Sequence, residues 1–149
     1  MINKIVDTIT KTAQQTEQLG ASLAQLLKDD SSLPRFIALY GDLGVGKTAF
    51  VRGFVSAFSP AAVRSPTFAL VNEYPSADSR IFHFDMYRIT DEDDLYSIGY
   101  YDYLDSGICL VEWSENIPYA IPERHIRVSI GKVDASSPDD RSVKIDSVG

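Results

Sequence analysis

The chain is poor in cysteine and has no long apolar run. Cys109 is the only cysteine among 149 residues, which excludes an internal disulfide and argues against a cysteine-based metal site. It stands within the apolar run 108–111, where a small buried side chain is the expected role. No apolar run approaches the roughly eighteen residues of a membrane-spanning helix, and the N-terminal residues lack a secretory signal pattern. We therefore expect no membrane association and a cytoplasmic location.

The chain also lacks an excess of basic residues. It has 14 Lys and Arg against 21 Asp and Glu, a formal net charge of −7. Proteins that bind nucleic acids generally use basic patches to displace counterions from phosphates. The scattered arginines and the acidic run 91–94 therefore argue against direct binding of DNA or RNA. The apolar content of 44% is that of a globular protein, and the length predicts one domain over residues 1–149.

A glycine-rich segment is the most informative feature that is present. Residues 41–48 read Gly-Asp-Leu-Gly-Val-Gly-Lys-Thr and fit the phosphate-loop pattern G-x-x-x-x-G-K-[ST] in full. The apolar run 36–40 predicts a buried strand before it, and residues 49–55 predict a helix after it. In such loops main-chain amides surround phosphate oxygens, a lysine reaches the β- and γ-phosphates, and a hydroxyl binds Mg²⁺. We expect these roles for Lys47 and Thr48; a glycine-rich turn with an exposed lysine is the alternative.

The remaining patterns predict an α/β fold. Strands are expected at 5–9, 36–40, 69–74, 80–85 and 108–111, with 69–74 and 80–85 forming a hairpin. Segments 125–130 and 142–146 predict antiparallel edge strands at the end of the chain, and 91–104 predicts a helix that is broken at Gly99. A capping box at Thr12 and Gln15 precedes a helix to about Lys28, whose apolar face contains Leu19, Leu23, Leu26 and Leu27. The result is a three-layer P-loop NTPase-like domain with a mixed, mainly parallel sheet and antiparallel edge strands.

Two acidic residues at predicted strand ends could complete a hydrolytic site. Glu112 follows 108–111, and Asp85 ends the predicted strand 80–85, in which His83 and Asp85 share one face. Ligands of open α/β sheets bind at the carboxyl ends of strands. We assign Glu112, where such motifs usually have aspartate, to Mg²⁺ and Asp85 to catalysis or water placement; the reverse stays open. Glu112 could instead be a strand-end acid that faces water. His83 more often has a structural, hydrogen-bonded role than that of a proton carrier.

Two further positions have both a functional and a simple structural interpretation. Thr67, in Ser65-Pro66-Thr67, follows the loop helix, where several nucleotide hydrolases place a threonine that senses γ-phosphate and Mg²⁺. The same residues could form an ordinary turn. Trp113, the single tryptophan, could cover a nucleotide or serve only in packing.

These motifs in this order resemble the TsaE family of bacterial ATPases, which are needed to make threonylcarbamoyladenosine in tRNA. The resemblance rests on the loop 41–48, on Ser-Pro-Thr at 65–67, on His-Phe-Asp-Met-Tyr-Arg at 83–88 and on Val-Glu-Trp at 111–113. It extends from about Thr12 to Val128. The His-x-Asp-x-Tyr-Arg and Glu-Trp elements are much more specific than the phosphate loop.

The resemblance implies that ATP and Mg²⁺ are cofactors. It implies Thr48 and Glu112 as Mg²⁺ ligands, Lys47 on the phosphates, and Thr67 and Asp85 as residues required for hydrolysis. Adenine contacts are implied for residues 10–12 and Glu115. Ala49 departs from the second threonine or serine that is usual in the family, which could weaken one α-phosphate contact. The implied nucleotide-binding residues are Thr12, Asp42, Leu43, Gly44, Val45, Gly46, Lys47, Thr48, Ala49 and Glu115.

The resemblance also implies protein partners. TsaE-like proteins are weak ATPases that join a TsaB–TsaD heterodimer, so tRNA would be contacted only through the partners. The residues alone leave open a small nucleotide or metabolite kinase and a non-catalytic nucleotide-binding module. A kinase usually needs an arginine-bearing lid, and the chain has no arginine-rich segment. The guanine-specific Asn-Lys-x-Asp motif is absent, which favours adenine.

Overall fold

The apolar runs of the sequence form the strands of one mixed sheet. A computed structural model of the chain describes residues 1–42, 44–66, 70–77 and 79–149. The strands are β1 (Ile2–Thr10), β2 (Phe36–Tyr40), β3 (Val71–Tyr74), β4 (Ile81–Asp85), β5 (Ile108–Glu112), β6 (His125–Lys132) and β7 (Arg141–Val148). The helices are α1 (Ala13–Asp29), α2 (Lys47–Ser56), α3 (Glu92–Ser97) and α4 (Tyr100–Leu104), with short 3₁₀ turns at Ser114–Asn116 and Pro118–Ala120.

The strand order is β1-β7-β6-β2-β5-β4-β3. Strands β6, β2, β5 and β4 pair in parallel, whereas β1–β7, β7–β6 and β3–β4 pair antiparallel. Five of the described strands therefore point in one direction, and each edge strand runs antiparallel to its neighbour. This arrangement confirms the predicted α/β fold and places the carboxyl ends of β2, β4 and β5 side by side.

Two apolar clusters cover the two faces of the sheet. Helices α1 and α2 pack on one face, around residues such as Leu23, Phe50, Phe54 and Ile37. Helices α3 and α4 and the turn at Pro118–Ala120 cover part of the other face. Side chains alternate between the faces along each strand, so neighbouring residues enter different clusters. The result is the predicted three-layer arrangement.

The hydrogen bonds at the start of α1 largely match the predicted capping box. The Thr12 side chain accepts the Gln15 N–H at 3.1 Å, as predicted. The Gln15 side chain reaches one residue further back than expected and accepts the Lys11 N–H at 2.6 Å. Both contacts satisfy main-chain amides that would otherwise lack partners at the helix start.

Some sequence-based expectations differ in detail. Leu26 was expected on the buried face of α1, yet it is 41% exposed, because the face that packs against α2 and the sheet centres on Leu23 and Leu27. Strands β6 and β7 are antiparallel to each other but lie inside the sheet. The edge is β1, which is longer than expected and pairs with β7. The expected helix break occurs at Gly99, whose φ of 74° falls in the left-handed region.

No helix in the described ranges combines the length and apolarity needed to cross a membrane.

Candidate functional site

The glycine-rich loop lies between the carboxyl end of β2 and the start of α2. Gly41, Gly44 and Gly46 have φ angles of 146°, 75° and 114°, which side-chain-bearing residues rarely adopt. Helix α2 begins at Lys47 directly after Gly46, and no side chain caps it. A helix start of this kind presents main-chain N–H groups and favourable partial positive charge to an anion. The strand–loop–helix context predicted for the motif is therefore present.

Lys47 is held at the centre of the site. Its side chain is buried, at 5% exposure, and Nζ donates to the Gly41 carbonyl at 2.5 Å. The same Nζ lies 3.8 Å from the centroid of the Trp113 ring, within the range of a cation–π contact. Trp113 therefore contacts Lys47 of the glycine-rich loop directly and is more than a packing residue of the core.

Several carboxylates surround this lysine. Burial lowers the pKa of Lys47, because a desolvated ammonium is less stable than the neutral amine. Nearby negative charges act in the opposite direction and favour the charged form. Four residues supply this opposing effect: Glu112, Glu115, Asp85 and Asp42.

The two strand-end acids lie next to each other. Asp85 ends β4 and Glu112 ends β5, and the two residues are direct partners in the parallel ladder. They face a cavity of about 290 Å³ beside the glycine-rich loop. Their sequence positions suit the same roles, and the structure brings both residues to one site. The cavity is lined by Gly44, Gly46, Lys47, Thr48, Ser65, Asp85, Glu112 and Trp113.

A second cavity, of about 370 Å³, also borders the loop. Thr12 lines it, as do Gly44, Val45 and Gly46 from the loop, so the two cavities share Gly44 and Gly46. Three of its charged lining residues were not predicted from the sequence: Lys11, Asp139 and Arg141. Lys11 directly precedes Thr12 and could have been suspected, but nothing local marks the other two.

Arg141 supports the loop from a distant part of the sequence. Its Nε donates to the Val45 carbonyl at 2.9 Å. The antiparallel pairing of Thr10 with Arg141 brings this side chain to the loop. Because this register joins β1 to β7 across most of the chain, a local sequence pattern could not have revealed the contact.

The other predicted nucleotide residues are distributed around the loop. Glu115 accepts the Gly41 N–H at 3.3 Å and does not line the cavity that contains Thr12, so these two predicted adenine contacts lie apart. Asp42 is exposed, and Ala49 is buried in α2. Leu43 and Thr67 lie outside the described residues.

His83 is hydrogen-bonded through both ring nitrogens, as expected of a structural histidine. Its Nε2 contacts Glu112 Oε2, and its Nδ1 lies 3.2 Å from the Tyr74 hydroxyl. Tyr74 itself was not singled out from the sequence. A tyrosine in a strand carries no signal of its own, because hydrophobic packing is its usual role.

The chain matches the family model described as Threonylcarbamoyl adenosine biosynthesis protein TsaE over residues 10–143. The chain belongs to the TsaE family. Relatives named as tRNA threonylcarbamoyladenosine biosynthesis protein TsaE include one from Haemophilus influenzae, 38% identical, with 76% of this chain and 84% of the relative covered. Another, from Aquifex aeolicus, is 40% identical, with 73% and 77% covered. The relative from Bacillus subtilis is 33% identical, with 94% and 84% covered.

A solved structure agrees with this assignment. The crystal structure of Bacillus subtilis YdiB is similar to this chain with a TM-score of 0.74 and 26% sequence identity. The alignment covers 100% of this chain and 88% of YdiB. The TsaE resemblance noted from the sequence is therefore confirmed both by the family match and at the level of the fold.

In this TsaE family member the quoted motifs meet at the carboxyl ends of β2, β4 and β5. The loop follows β2, Asp85 ends β4, and Glu112 ends β5, with Trp113 directly after it. Ser65 reaches the same cavity from the segment after α2. Motifs that are far apart in the sequence therefore line one site, as expected where parallel strands end together.

Proposed function

We propose that this protein is a weak ATPase that binds Mg-ATP at residues 41–48. In this proposal it acts as an accessory subunit of the TsaB–TsaD machinery that makes threonylcarbamoyladenosine in tRNA. One observation supports the nucleotide part above all: two cavities of about 370 and 290 Å³ share Gly44 and Gly46 of a phosphate loop. An elongated ligand with a nucleoside at one end and charged phosphates at the other suits this shape.

The larger cavity would take the nucleoside. Its lining combines polar and charged groups from the start of α1 with residues at the start of β7. Thr12 belongs to this lining, in agreement with its proposed nucleotide contact. Lys11, Asp139 and Arg141 are additional groups that could contact the nucleoside through hydrogen bonds.

The smaller cavity would take the phosphates and the metal ion. Lys47 and the loop amides would bind phosphate oxygens, while Thr48 and Glu112 would hold Mg²⁺. The ion would neutralise negative charge on the phosphates during hydrolysis. Asp85, beside Glu112, would orient the attacking water, and Thr67 would sense the γ-phosphate.

The available side-chain ligands suit Mg²⁺, which needs few protein ligands, better than a metal ion whose ligands all come from the protein. Within residues 1–42, 44–66, 70–77 and 79–149, no group of three or more His, Cys, Asp or Glu side chains is arranged to hold a metal ion. Mg²⁺ usually has only one or two protein carboxylate ligands and keeps waters or nucleotide phosphates as the others. Carboxylates around Lys47 would also repel a bare triphosphate, so we expect nucleotide binding to require the divalent cation.

The family and the charge both support the proposed partner role. The net charge of −7 suits a subunit that leaves tRNA contacts to its partners. A pathway that acts on tRNA also favours a cytoplasmic location with Cys109 as a thiol, and that residue is free and buried. We expect residues 1–149 to act as one domain, since all the described strands join one sheet.

The decisive experiment is phosphate release from ATP, with and without purified TsaB and TsaD. We expect slow release by the protein alone, a faster rate with both partners, and loss of both activities in Lys47→Ala. Lys4→Ala is the matched control, because Lys4 is an exposed lysine in β1, outside the lining of either cavity. Transfer of phosphate to a small acceptor would instead support a kinase. Tight Mg-ATP binding without turnover, even with the partners, would support a non-catalytic module.

A further inference from the structure

A buried hydrogen-bond chain links Glu112 to the segment that leads towards Thr67. Tyr74 and Glu112 are each 4% exposed, and His83, which lies between them, is fully buried. The Tyr74 hydroxyl lies 3.2 Å from His83 Nδ1, and His83 Nε2 contacts Glu112 Oε2. At its other end the Tyr74 hydroxyl meets the main chain of Arg64.

The sheet register brings these groups together on one face. Asn72 is paired with His83, and Asp85 is paired with Glu112. Since side chains alternate along a strand, Asn72 and Tyr74 of β3 share a face with His83 of β4 and Glu112 of β5. The chain of contacts thus crosses three neighbouring strands and ends in the cavity beside the phosphate loop.

The chemistry of the groups sets the direction of the hydrogen bond at Glu112. A carboxylate that holds Mg²⁺ can only accept, so His83 would donate its Nε2–H to Glu112. The Tyr74 hydroxyl has one proton, and both the Arg64 carbonyl at 3.1 Å and His83 Nδ1 at 3.2 Å lie within its reach. The hydroxyl oxygen accepts the Arg64 N–H at 3.3 Å, and the Arg64 carbonyl also accepts from the Asn72 amide at 3.0 Å. The Tyr74 hydroxyl therefore connects the Arg64 main chain with His83.

We propose that Tyr74 and His83 are positioning residues that fix the Glu112 carboxylate and tie it to the segment Arg64–Pro66. This inference rests on the proposed function, in which Glu112 holds Mg²⁺ and Thr67 takes part in hydrolysis. His83 contacts Glu112 Oε2, which restricts rotation of the carboxylate. Without this contact the carboxylate would be free to rotate, and Glu112 would hold Mg²⁺ less well. Partners of metal ligands commonly change metal affinity or activity by about 10- to 100-fold when they are mutated.

Two substitutions of His83 separate the two ends of the chain. In His83→Gln the side-chain amide reaches the position of Nε2 and can still donate to Glu112. In His83→Asn the shorter amide reaches only the position of Nδ1, so the contact with Tyr74 can remain while Glu112 loses its donor. We expect His83→Asn to raise the Mg²⁺ concentration for half-maximal ATP hydrolysis by about 10-fold or more. We expect His83→Gln to raise it clearly less.

Tyr74→Phe removes the hydroxyl that contacts the Arg64 main chain and keeps the ring that packs in the core. We expect kcat to fall by about 10-fold, because the segment that leads towards Thr67 loses its contact with Tyr74. The Mg²⁺ concentration for half-maximal hydrolysis should change by less than about threefold, because His83 still contacts Glu112. If Tyr74 had a purely structural role, Tyr74→Phe would lower the amount of folded protein. It would not lower kcat while leaving the Mg²⁺ requirement nearly unchanged. Equal Mg²⁺ requirements and equal kcat in wild type and all three folded variants would overturn the proposal.

An NMR measurement tests the same chain without ATP hydrolysis. Long-range ¹H–¹⁵N spectra resolve the ring nitrogens of the two histidines, His83 and His125. We expect His83 to carry its proton on Nε2 and its ring signals to shift in both Glu112→Gln and Tyr74→Phe, whereas His125, which contacts the Pro122 carbonyl, stays unchanged. Unchanged His83 signals in both variants would contradict the inference. The expected shifts together with an inactive wild type would count against the proposed ATPase alone.

Discussion

Asp85 and Glu112 lie side by side at the ends of parallel strands β4 and β5 and face the same cavity. Two neighbouring carboxylates repel each other unless a cation lies close by. Lys47 is one such cation, and both acids favour its charged form. In the proposed function Mg²⁺ is the second cation. One acid can then bind the metal ion while the other positions the attacking water.

This division predicts different defects for the two acids. We expect Glu112→Gln to raise the Mg²⁺ concentration for half-maximal ATP hydrolysis by about 10-fold or more, since a metal ligand loses its charge. We expect Asp85→Asn to lower kcat at saturating Mg²⁺ by about 100-fold or more, the usual effect of losing a group that handles the proton of the attacking water. Steady-state phosphate release over a Mg²⁺ titration measures both.

Asp102→Asn is the control for these variants, because Asp102 is an exposed acid on α4. It should behave like the wild type in both measurements. If Asp85→Asn changes the Mg²⁺ requirement and Glu112→Gln changes only kcat, the two assignments must be exchanged.

The close packing of α1 on α2 predicts a strong effect at Gly53. A Cβ at this position would lie 1.8 Å from the Glu17 carbonyl oxygen, so the two helices would have to move apart. We expect Gly53→Ala to lower the free energy of unfolding by about 2 kcal/mol or more. Gly131→Ala is the matched control: a Cβ there meets no atom within 4 Å. The free energy of unfolding of this control, measured by urea denaturation, should change by no more than about 0.5 kcal/mol. A loss in Gly53→Ala as small as that in Gly131→Ala would show that the two helices can move apart easily.

The cap of α1 predicts a loss of stability at Thr12. Its hydroxyl accepts the Gln15 N–H, and Thr12→Ala leaves this amide without that partner. We expect the free energy of unfolding to fall by about 1 kcal/mol, measured by urea denaturation. Thr12→Ser keeps the hydroxyl and should restore most of the loss. If serine and alanine destabilise equally, the methyl group of Thr12 matters more than its cap.

Cys109 predicts a loss of stability at alkaline pH. Burial raises the pKa of its thiol from the ordinary 9.0 to about 12. Between these values the unfolded chain releases the proton and the folded chain does not, so stability falls as pH rises above about 9. Relative to Cys109→Ala, the wild type should lose about 1 kcal/mol more between about pH 8 and about pH 10. Urea denaturation at both pH values measures this difference, and parallel losses in the two proteins would contradict it.

Local sequence patterns predicted the elements whose structure depends on nearby residues. The strand before Gly41, the helix after Gly46 and the break at Gly99 follow from apolar spacing and from the conformational freedom of glycine. The acid at the end of β5 was found because ligands collect where parallel strands end. Thr67 remains a prediction, since it lies outside the described residues.

Patterns that depend on distant partners were predicted less well. Leu26 lies at helical spacing from Leu23, yet the position of α2 decides which part of that face is buried. The alternation in β6 and β7 predicted strands correctly but did not reveal that β1 would cover the edge of β7. Whether a strand lies at the edge of a sheet depends on whether another strand pairs with its free side, and a local sequence pattern cannot predict that.

The sequence by itself determined a glycine-rich motif in its strand–helix context, two acids at strand ends and membership of the TsaE family, because these depend on short runs of residues. Only the tertiary structure decided that Arg141 supports Val45 and that Tyr74 and His83 connect Arg64 with Glu112. Strand pairing sets these contacts between residues far apart in the chain. A hydrogen bond acts over about 3 Å, so it depends on which strands become neighbours and in which register.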